Sequence, residues 1–557
     1  MTRVAMVVAA TAVSVMQGPA AGQSERVSIH VDATRSLGPM TPFWSYFGYD
    51  EPNYTYLKDG RKLLSELAAL SPTPVYVRTH NLLTTGDGTP SLKWGSTNAY
   101  TEDATGRPRY DWTIVDRIFD TLLERKMKPL VEIGFMPEAL SSNPRPYRHT
   151  FPNGSIFTGW SYPPTDYTKW GELVDQWARH AVAKYGRAEV ESWYWEVWNE
   201  PDIGYWHGTP EDYQKLYDFA VEGLKRGLPT ARVGGPHVTS PNSPRAQQFL
   251  RAFLDHCLHG TNLATGKTGT PLDYVGFHAK GAPRVVDGHV RMGISNQLQA
   301  ISNGFGIVAS FPELRNIPII IGESDPEGCA ACSMRDHPEN GYRNGTVYSS
   351  YTAEQLARTY ELADLHHVNL AGAVTWAFEF ENQPYFDGFR DLATNGIDKP
   401  VLNIFRMLGR MRGSRVAVES PGGLPLADVR DRGVREKADV NALASRGDRA
   451  ISILVWNYHD DDVPAPAAEI ALTLDGVPTD RPTLEHYRVD GDHSNAYEAW
   501  KKIGSPAQPT SSQYAQLDKA GQLQLVEPAQ ALRAQRGTMT LTFTLPRQGV
   551  SLLKFTW

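Results

Sequence analysis

Short apolar runs alternate with amphipathic stretches between about residue 70 and residue 410. The runs are rich in Val, Ile and aromatic residues, which is typical of buried strands. The longer stretches have helical spacing, as in Trp112–Arg125, Tyr167–Tyr185 and Ala353–His366. The predicted strands are a run near Trp44–Tyr49, then Pro74–Arg78, Pro129–Ile133, Ser192–Trp198, Ala231–Gly234, Tyr274–Phe277, Pro318–Gly322 and Gly372–Trp376.

Eight strands with intervening helices predict an α/β fold, a (β/α)8 TIM barrel with some enlarged loops. We assign the barrel to residues 41–411. A doubly wound open sheet is the alternative. It is disfavoured because no Gly-rich phosphate loop follows the first strand.

The pattern changes after about residue 412. Strand-like runs separated by Pro- and Gly-rich turns lie at Ala450–Trp456, Thr483–Arg488, Thr538–Leu545 and Val550–Trp557. They predict an accessory β-sandwich over residues 412–557. The alternation of polar and apolar residues in Arg26–Val31 predicts that residues 23–40 add a strand to this sandwich. Asp490–Asn495 is interpreted as a turn that caps a helix at Ala496–Lys502, because its spacing does not fit a calcium loop.

The first 22 residues have the pattern of a secretory signal peptide. Arg3 gives a positive start, Val4–Met16 is almost wholly apolar, and Pro19–Gly22 supplies small residues for cleavage. The apolar run is too short for a permanent membrane helix, and no other stretch is long and apolar enough to be one. We therefore expect a secreted or periplasmic protein with no membrane span.

Charge and composition narrow the possible partners. The formal net charge of −7 and the pI near 6.2 argue against nucleic acid or an anionic membrane as the main partner. The 14 Trp and 25 Tyr residues suit stacking on sugar rings, although composition alone favours core packing. Oligomeric state is not predicted.

The three cysteines are too few for a disulfide scaffold in a chain of 557 residues. Cys329 and Cys332 are close in sequence, whereas Cys257 lies in a helical stretch. In an oxidising compartment, a local Cys329–Cys332 bridge and a link from one of them to Cys257 both remain open. No second Cys or His pair has zinc-ligand spacing, so we predict no metal site.

The strongest chemical signal is an aromatic strand that ends in Asn199, Glu200 and Pro201. Alternation places Glu196 and Glu200 on one face, with Glu200 at the carboxyl end, where barrel active sites form. Pro201 ends the strand because it has no N–H for the ladder. A lone glutamate there would more often form a structural ion pair, but Asn-Glu-Pro after an aromatic strand is far more restrictive.

Glu323 ends a second apolar run, where Ile319, Ile321 and Glu323 share one face. About three β/α units separate the two glutamates, which places Glu200 on the fourth barrel strand and Glu323 on the seventh. Two carboxyl groups across a barrel mouth suit glycoside hydrolysis. That reaction needs a protonated carboxyl for the leaving oxygen and an ionised one for the anomeric carbon.

Four stretches carry a resemblance to glycoside hydrolase family 39, which includes β-xylosidases and α-L-iduronidases. They are Glu132–Glu138, Glu196–Pro201, Phe277–Gly281 and Thr375–Glu379. The resemblance covers nearly the whole mature chain and implies a retaining (β/α)8 enzyme. It implies that Glu200 is the acid/base, that Glu323 is the nucleophile, and that Asn199 hydrogen-bonds the sugar 2-hydroxyl. Strict alternation would point Asn199 away from Glu200, so a bulge at the strand end is expected.

Other polar residues are expected beside this pair. Arg78 and His80 share a face at the end of the second strand. Arg78 is expected to keep the nucleophile ionised and His80 to meet a sugar hydroxyl, with structural roles as the alternatives. The resemblance raises His278 and Lys280 as substrate contacts after the sixth strand. In iduronidase-like members a lysine here would suit a substrate carboxylate, and here Lys280 is expected to bond neutral hydroxyls.

Aromatic candidates complete the expected sugar site. Trp376 ends the eighth strand and is expected to form the floor of the −1 sugar subsite. The alternative is that its side chain packs inside the barrel. The weaker aromatic candidates are Tyr49, Trp160, Phe378 and Phe386. The rival carboxylates are Glu132, Glu138, Glu196 and Glu327.

Together these features predict a retaining exo-glycosidase that releases a terminal sugar from plant-type oligosaccharides and needs no cofactor or metal. The resemblance makes β-xylosidase the leading activity, and an arabinosidase is the first rival. An iduronidase-like enzyme is a weaker rival because Lys280 has no clear cationic partner in the sequence. A noncatalytic carbohydrate-binding protein is a rival from another class, but both carboxylates are present.

Overall fold

The computed structural model describes residues 26–92, 94–149, 156–329 and 331–557. The predicted signal peptide lies outside this range. Among the described residues, no helix has the length and apolar character needed to cross a membrane.

Eight parallel strands form a closed barrel, in which the last strand pairs with the first. In chain order they are Tyr46–Tyr49, Tyr76–Thr79, Lys128–Ile133, Tyr194–Val197, Arg232–Val238, Tyr274–Lys280, Pro318–Asp325 and Asn369–Trp376. Each of the eight predicted strands overlaps one of these. The predicted (β/α)8 barrel is therefore confirmed.

Helices alternate with the barrel strands. They are Lys58–Ala68, Thr113–Leu123, Tyr167–Tyr185 with the short Arg187–Val190, Pro210–Gly227, Pro244–His259, Ile294–Ala309, Thr346–His366 and Pro400–Leu408. The helix expected at Ala353–His366 begins seven residues earlier, at Thr346. Short 3-10 turns lie at Pro52–Tyr54, Glu138–Leu140, Pro312–Leu314 and Pro338–Asn344.

The enlarged loops carry small hairpins. These pair Tyr100–Glu102 with Pro108–Tyr110, Tyr147–His149 with Ile156–Gly159, Arg284–Val286 with His289–Arg291, and Ala393–Thr394 with Ile397–Asp398.

Large side chains fill the barrel interior below the site, and small residues make room for them. The buried layer consists of Tyr46, Leu130, Tyr194, Tyr274, Ile320, Val374 and Trp376. A Cβ on Gly48 would lie 2.3 Å from the Trp376 ring, and one on Gly322 would lie 2.1 Å from His237. Because glycine stands at both positions, these bulky rings can lie across the barrel directly beneath its carboxyl end.

A ten-stranded sheet, separate from the barrel, curls around its own apolar core and forms the sandwich. Its strands are Arg26–Pro39, Ser414–Glu419, Asp439–Arg446, Ala450–Tyr458, Ala468–Asp475, Thr483–Val489, Gln524–Leu525, Gln530–Ala531, Thr538–Leu545 and Val550–Thr556. The N-terminal strand pairs antiparallel with Ser414–Glu419 and parallel with Ala468–Asp475. The predicted N-terminal contribution to the sandwich is thus present.

Three helices accompany the sheet, namely Leu426–Arg432, Ala496–Lys502 and Ser511–Gly521. The Asn495 side chain accepts a hydrogen bond from Glu498 N at 3.1 Å, so the predicted turn does cap the helix at Ala496–Lys502.

The barrel and the sandwich share a buried ion network. Arg358, on the seventh barrel helix, donates to Glu354 at 2.8 Å and to Asp439 of the sandwich at 3.0 Å. Trp456 donates its indole N–H to the same Asp439 carboxylate at 3.0 Å. These groups are buried. Burial raises the pKa of Glu354 well above its usual range, so Asp439 is the carboxylate whose charge depends on the guanidinium.

We expect Arg358→Ala to destabilise the protein by about 3–5 kcal/mol, because it leaves the buried Asp439 carboxylate without its cation. The thermal unfolding midpoint at neutral pH is the measurement. Arg432→Ala is the control, because the Arg432–Asp428 pair is exposed and such pairs contribute about 0–1 kcal/mol. Equal unfolding midpoints for the two variants would show that the buried ion network between barrel and sandwich does not stabilise the protein.

Candidate active site

The backbone becomes irregular where Glu200 leaves the fourth barrel strand. The regular strand ends at Val197, and Trp198 and Glu200 have φ of 72° and 48°. Such left-handed residues are uncommon outside glycine and are costly, so the surrounding structure must hold them. Backbone hydrogen bonds do so: Trp198 N donates to Ile133 O and Glu200 N to His237 O, both at 3.1 Å.

This irregularity resolves the conflict between alternation and the expected role of Asn199. Asn199 Oδ1 accepts a hydrogen bond from Arg78 at 3.0 Å, and Glu200 contacts His278 at 2.9 Å. Both side chains therefore reach the mouth of the barrel. The expected bulge is not found in the pairing of this strand. The strand ends at Val197 instead, and two left-handed residues turn both side chains to the same side.

The two glutamates face each other across His278. An oxygen of Glu200, an oxygen of Glu323 and a ring nitrogen of His278 all lie within 4.8 Å of one another. His278 Nδ1 is 2.9 Å from Glu200 Oε1 and 3.7 Å from Glu323 Oε1. The fourth, sixth and seventh barrel strands thus bring these three residues together. Burial lowers the pKa of His278 to about 3, so its ring is neutral.

Glu323 is surrounded by positive charge. Lys280 Nζ lies 2.8 Å from Oε2, and Arg78 Nη1 lies 3.2 Å from Oε1. Burial alone would raise the pKa of Glu323, but the charges of Lys280 and Arg78 outweigh it and hold the pKa well below its usual range. Glu323 is therefore ionised at neutral pH.

Glu200 has the opposite environment. Burial and the negative charge of Glu323 raise its pKa to about 8. Glu200 is therefore largely protonated at neutral pH. Two neighbouring carboxyl groups are held in opposite protonation states, which is the arrangement that separates an acid from a nucleophile.

Arg78 connects the residues beneath the site. Its Nε donates to the two oxygens of Glu196 at 2.8 and 3.0 Å, while its two Nη atoms bind Glu323 and Asn199. Burial opposes the ionisation of Glu196, but Arg78 and His237, at 2.8 Å, hold its pKa near 2. Arg78 therefore has both the expected site position and the structural ion pair that was its alternative.

His80 lies within this network of ion pairs and does not line the open mouth of the barrel. Its Nδ1 is 2.7 Å from Asp50, its Nε2 is 2.8 Å from Glu132, and its side chain is 1% exposed. Burial lowers its pKa, but Glu132 and Asp50 outweigh this effect and raise the pKa to about 9. His80 is therefore a buried cation 3.8 Å from Glu323, with both nitrogens already facing carboxylates. Its expected contact with a sugar hydroxyl stays a prediction.

Lys280 is also engaged within the protein. Its ammonium group contacts both Glu323 and Asp325. The side chain is 18% exposed, which keeps it at the edge of the site.

Trp376 is fully buried beneath His80, with ring centroids 4.4 Å apart, and the Arg78 guanidinium lies 4.8 Å from its ring. This is the barrel-packing position, and a contact with sugar stays a prediction.

The weaker aromatic candidates lie in three places. Tyr49 and Phe378 stack on each other at 3.8 Å and are buried. Trp160 donates to Pro144 O at 3.1 Å and pairs with Met136 in the loop after the third strand. Phe386 packs on Tyr497 and Trp500, outside the site.

The rival carboxylates have other partners. Glu132 and Glu196 lie in the ion network below the site, and Glu327 pairs with Arg343 at 2.8 Å. Glu138 begins a short helix.

The sequence reasoning missed several residues that the fold brings to the site, namely Asp50, Tyr205, His237, Asp325 and Arg390. Arg390 follows the last barrel strand in a loop without periodicity. It pairs with Asp50 at 3.0 Å. Burial and, to a smaller extent, the charge of Arg390 oppose a high pKa of Lys280, but Asp325 and Glu323 outweigh them and raise that pKa. Arg390 and Lys280 both approach Gly328, so two cations lie near one loop residue, a neighbourhood that the sequence pattern did not reveal.

Within the part of the chain that the structure describes, two triads have metal-like spacing, His80–Glu132–Glu196 and Glu200–His278–Glu323. Arg78 is 2.8 Å from Glu196, and Lys280 is 2.8 Å from Glu323. A metal ion would have to displace or approach these cations at a few ångströms, which is strongly unfavourable in a buried site. In each triad a carboxylate is already compensated by an arginine or lysine side chain, so these residues do not suit a metal ion.

The sequence matches the family described as Glycosyl hydrolases family 39 over residues 27–537. The chain belongs to this family. It is therefore a glycoside hydrolase by family.

Two groups of family-39 relatives are about equally similar to this chain. It is 27% identical to a β-xylosidase of Caldicellulosiruptor saccharolyticus over 421 residues, covering 73% of this chain and 76% of the relative. It is 26% identical to a mouse (Mus musculus) α-L-iduronidase over 562 residues, covering 93% and 79%.

Solved structures of family-39 enzymes share the fold. A monomeric β-xylosidase from Caulobacter crescentus superposes with a TM-score of 0.73 at 21% identity, covering 95% of this chain and 99% of that one. A bacterial orthologue of human α-L-iduronidase has a TM-score of 0.74 at 20% identity, covering 96% and 84%. At such identities these comparisons support the architecture and leave the sugar open.

We expect the Glu200 carboxyl to titrate near pH 8 while Glu323 stays ionised far into the acid range. Infrared difference spectra of the protonated carboxyl band measure this directly, and Glu200→Gln identifies the band. In Glu323→Gln the midpoint of Glu200 should fall, because the like charge that raises its pKa is gone. Titration of both groups near the ordinary glutamate value of about 4.3 would refute the assignment.

Proposed function

We propose that this family-39 chain is a retaining exo-glycosidase that releases a terminal neutral sugar, with β-xylosidase as the first candidate activity. The supporting observation is the pair of facing carboxyl groups, with oxygens within 4.8 Å and opposite protonation states. Retaining enzymes place these carboxyls about 5–5.5 Å apart, whereas inverting enzymes need about 6.5–9.5 Å for a water. The observed proximity favours retention.

In the proposed first step, Glu200 protonates the glycosidic oxygen while ionised Glu323 attacks the anomeric carbon. Attack turns Glu323 into a neutral ester, so the like charge that raised the pKa of Glu200 disappears. Glu200, having given up its proton, is then suited to take one from the incoming water. Above pH 8 or so the first step fails, because Glu200 is no longer protonated.

Asn199 and Arg78 fit supporting roles in this mechanism. The carbonyl oxygen of Asn199 already accepts a hydrogen bond from Arg78, which leaves the amide NH2 as a donor for a sugar hydroxyl. Arg78 also contacts Glu323, so one guanidinium positions both the nucleophile and the group proposed to bind the 2-hydroxyl.

The charge balance supports a neutral sugar. Lys280 contacts Glu323 and Asp325, and Arg390 contacts Asp50. Each cation at the edge of the site is thus already matched by a carboxylate. A neutral sugar can bind without disturbing these pairs, and an arabinosidase is compatible with the same balance.

A second candidate is a glycosidase for uronic acids. The observation in its favour is that Arg390 and Lys280 both approach Gly328, which brings two cations to one edge of the site. Paired cations of this kind suit a sugar carboxylate. The similarity to α-L-iduronidases supports the same alternative.

We also propose that the protein acts outside the cytoplasm, as a secreted or periplasmic enzyme. The signal-like residues 1–22 support export. The Cys329–Cys332 disulfide is in keeping with an oxidising compartment.

Glu323→Ala should lower turnover by about 10⁴-fold or more, because the nucleophile is lost. Azide should restore cleavage of an activated aryl glycoside and give a glycosyl azide of inverted configuration, identified by NMR of the product. Glu200→Ala is the matched control. There azide attacks the glycosyl-enzyme, so the product keeps the configuration of the substrate. Full activity of Glu323→Ala without azide would overturn the assignment.

A panel of nitrophenyl β-xyloside, nitrophenyl arabinosides and an umbelliferyl iduronide tests the sugar. We expect kcat/KM for the β-xyloside to exceed the others by about tenfold or more, since one extra or missing group in a pocket is worth about 1–3 kcal/mol. Equal rates for xyloside and arabinosides would contradict the β-xylosidase proposal. If the iduronide is the best substrate, the second candidate, a glycosidase for uronic acids, is the one supported. Binding of oligosaccharides without any turnover would indicate a noncatalytic protein.

A further inference from the structure

The loop that follows the seventh barrel strand is closed by a disulfide between Cys329 and Cys332. It begins directly after Asp325, two residues beyond Glu323. A Cβ on Gly328 would lie 3.9 Å from Cε of Lys280, so the loop borders the edge of the site.

One fully buried arginine anchors the loop from below. Arg343 Nη2 pairs with Glu327 at 2.8 Å, and Arg343 Nη1 donates to the carbonyl oxygen of Cys329 at 2.9 Å. The same Nη1 donates to Gly388 O at 3.2 Å, two residues before Arg390. The disulfide loop and the segment that carries Arg390 therefore share one anchor.

The loop also holds Arg390 itself. The carbonyl oxygen of Gly328 accepts a hydrogen bond from Arg390 Nη1, while Arg390 Nη2 pairs with Asp50 at 3.0 Å. Asp50 in turn lies 2.7 Å from His80. A continuous set of contacts thus runs from the disulfide loop, through Arg390, to the buried cation beside the nucleophile.

We propose that the Cys329–Cys332 disulfide is a positioning element for the substrate-binding edge of the active site, acting by holding the Gly328 carbonyl where it fixes Arg390. The cross-link restricts the loop to few conformations, so the carbonyl is in place before a sugar arrives. Without it the loop gains freedom and Arg390 loses an acceptor. This inference rests on the proposed glycosidase function.

Loss of the disulfide should affect substrate binding more than chemistry. The closest contacts of Glu200 and Glu323 come from Lys280, Arg78 and His278, and none of these three is a loop residue. A change that weakens ground-state and transition-state binding equally raises KM and leaves kcat unchanged. A disulfide that served stability alone would lower the unfolding midpoint and leave KM unchanged.

The test compares wild type with the Cys329→Ser/Cys332→Ser double variant on the best glycoside of the panel. We expect KM to rise about tenfold with kcat within about threefold, because displaced binding groups lose much of their contribution. Cys257→Ala is the control, because Cys257 is a free buried cysteine on the fifth barrel helix, outside the disulfide loop. It should retain the wild-type KM.

Reduction of the wild-type protein with dithiothreitol is a second test of the same proposal. Dithiothreitol reduces the disulfide to two thiols and is itself oxidised to its cyclic disulfide, a balanced two-electron exchange. It should raise the KM of wild type to that of the double variant and leave the double variant unchanged. Unchanged KM in both tests, with wild-type turnover intact, would overturn the inference but not the proposed function.

Hydrogen exchange gives a readout that needs no turnover. Removal of the disulfide should speed amide exchange in residues 326–345 and also in Phe386–Leu392, which carries Arg390. Faster exchange confined to the disulfide loop would show that it does not position Arg390, and would overturn the inference even if no glycoside of the panel is cleaved.

Discussion

The Arg78 guanidinium is the interaction on which the rest of the site depends. It is completely buried, and it binds Glu196 on the fourth strand, Asn199 just beyond that strand, and Glu323 on the seventh. A buried cation is tolerated only where carboxylates compensate it, and Glu196 and Glu323 do so here. Its contact with Glu323 helps to hold that carboxylate ionised. Ionised Glu323 then helps to keep Glu200 protonated, so the two carboxyls acquire different chemistry from one shared set of charges.

This arrangement also explains why the site is built of several cations and carboxylates in close contact. His80 is held as a cation between Asp50 and Glu132, and Lys280 is shared between Glu323 and Asp325. Each group is needed to compensate a neighbour, so removal of one leaves another buried without a partner. The network gives Glu323 a fixed position and a fixed charge before any sugar binds, which is the preorganisation that electrostatic catalysis requires.

Most of the barrel could be predicted because each strand is a short apolar run, and the site glutamates end two of them. Pro318–Asp325 shows both sides of this: its isoleucines predict the strand, but Glu323 is not in phase with Ile319 and Ile321. Those two side chains pack in the outer core, and a register shift at Gly322 brings Glu323 into the barrel mouth. Arg390 could not be found in this way, since it lies in an irregular loop and its partners Asp50 and Gly328 come from distant parts of the chain. The left-handed backbone at Glu200 was foreseen only as a conflict, because alternation along a strand does not specify how the chain leaves it.

The strand Arg26–Pro39 precedes the entire barrel, yet both of its neighbours in the sheet come from the C-terminal part of the chain. During synthesis this strand can first pair when Ser414 has been made, 414 − 39 = 375 residues after Pro39, and its second neighbour begins only at Ala468. The sandwich therefore cannot be completed before the whole barrel and the last sandwich strand, Val550–Thr556, have been made. Cutting the gene after the last barrel helix would likewise leave the N-terminal strand with unpaired edges, so the barrel is not separable by simple truncation.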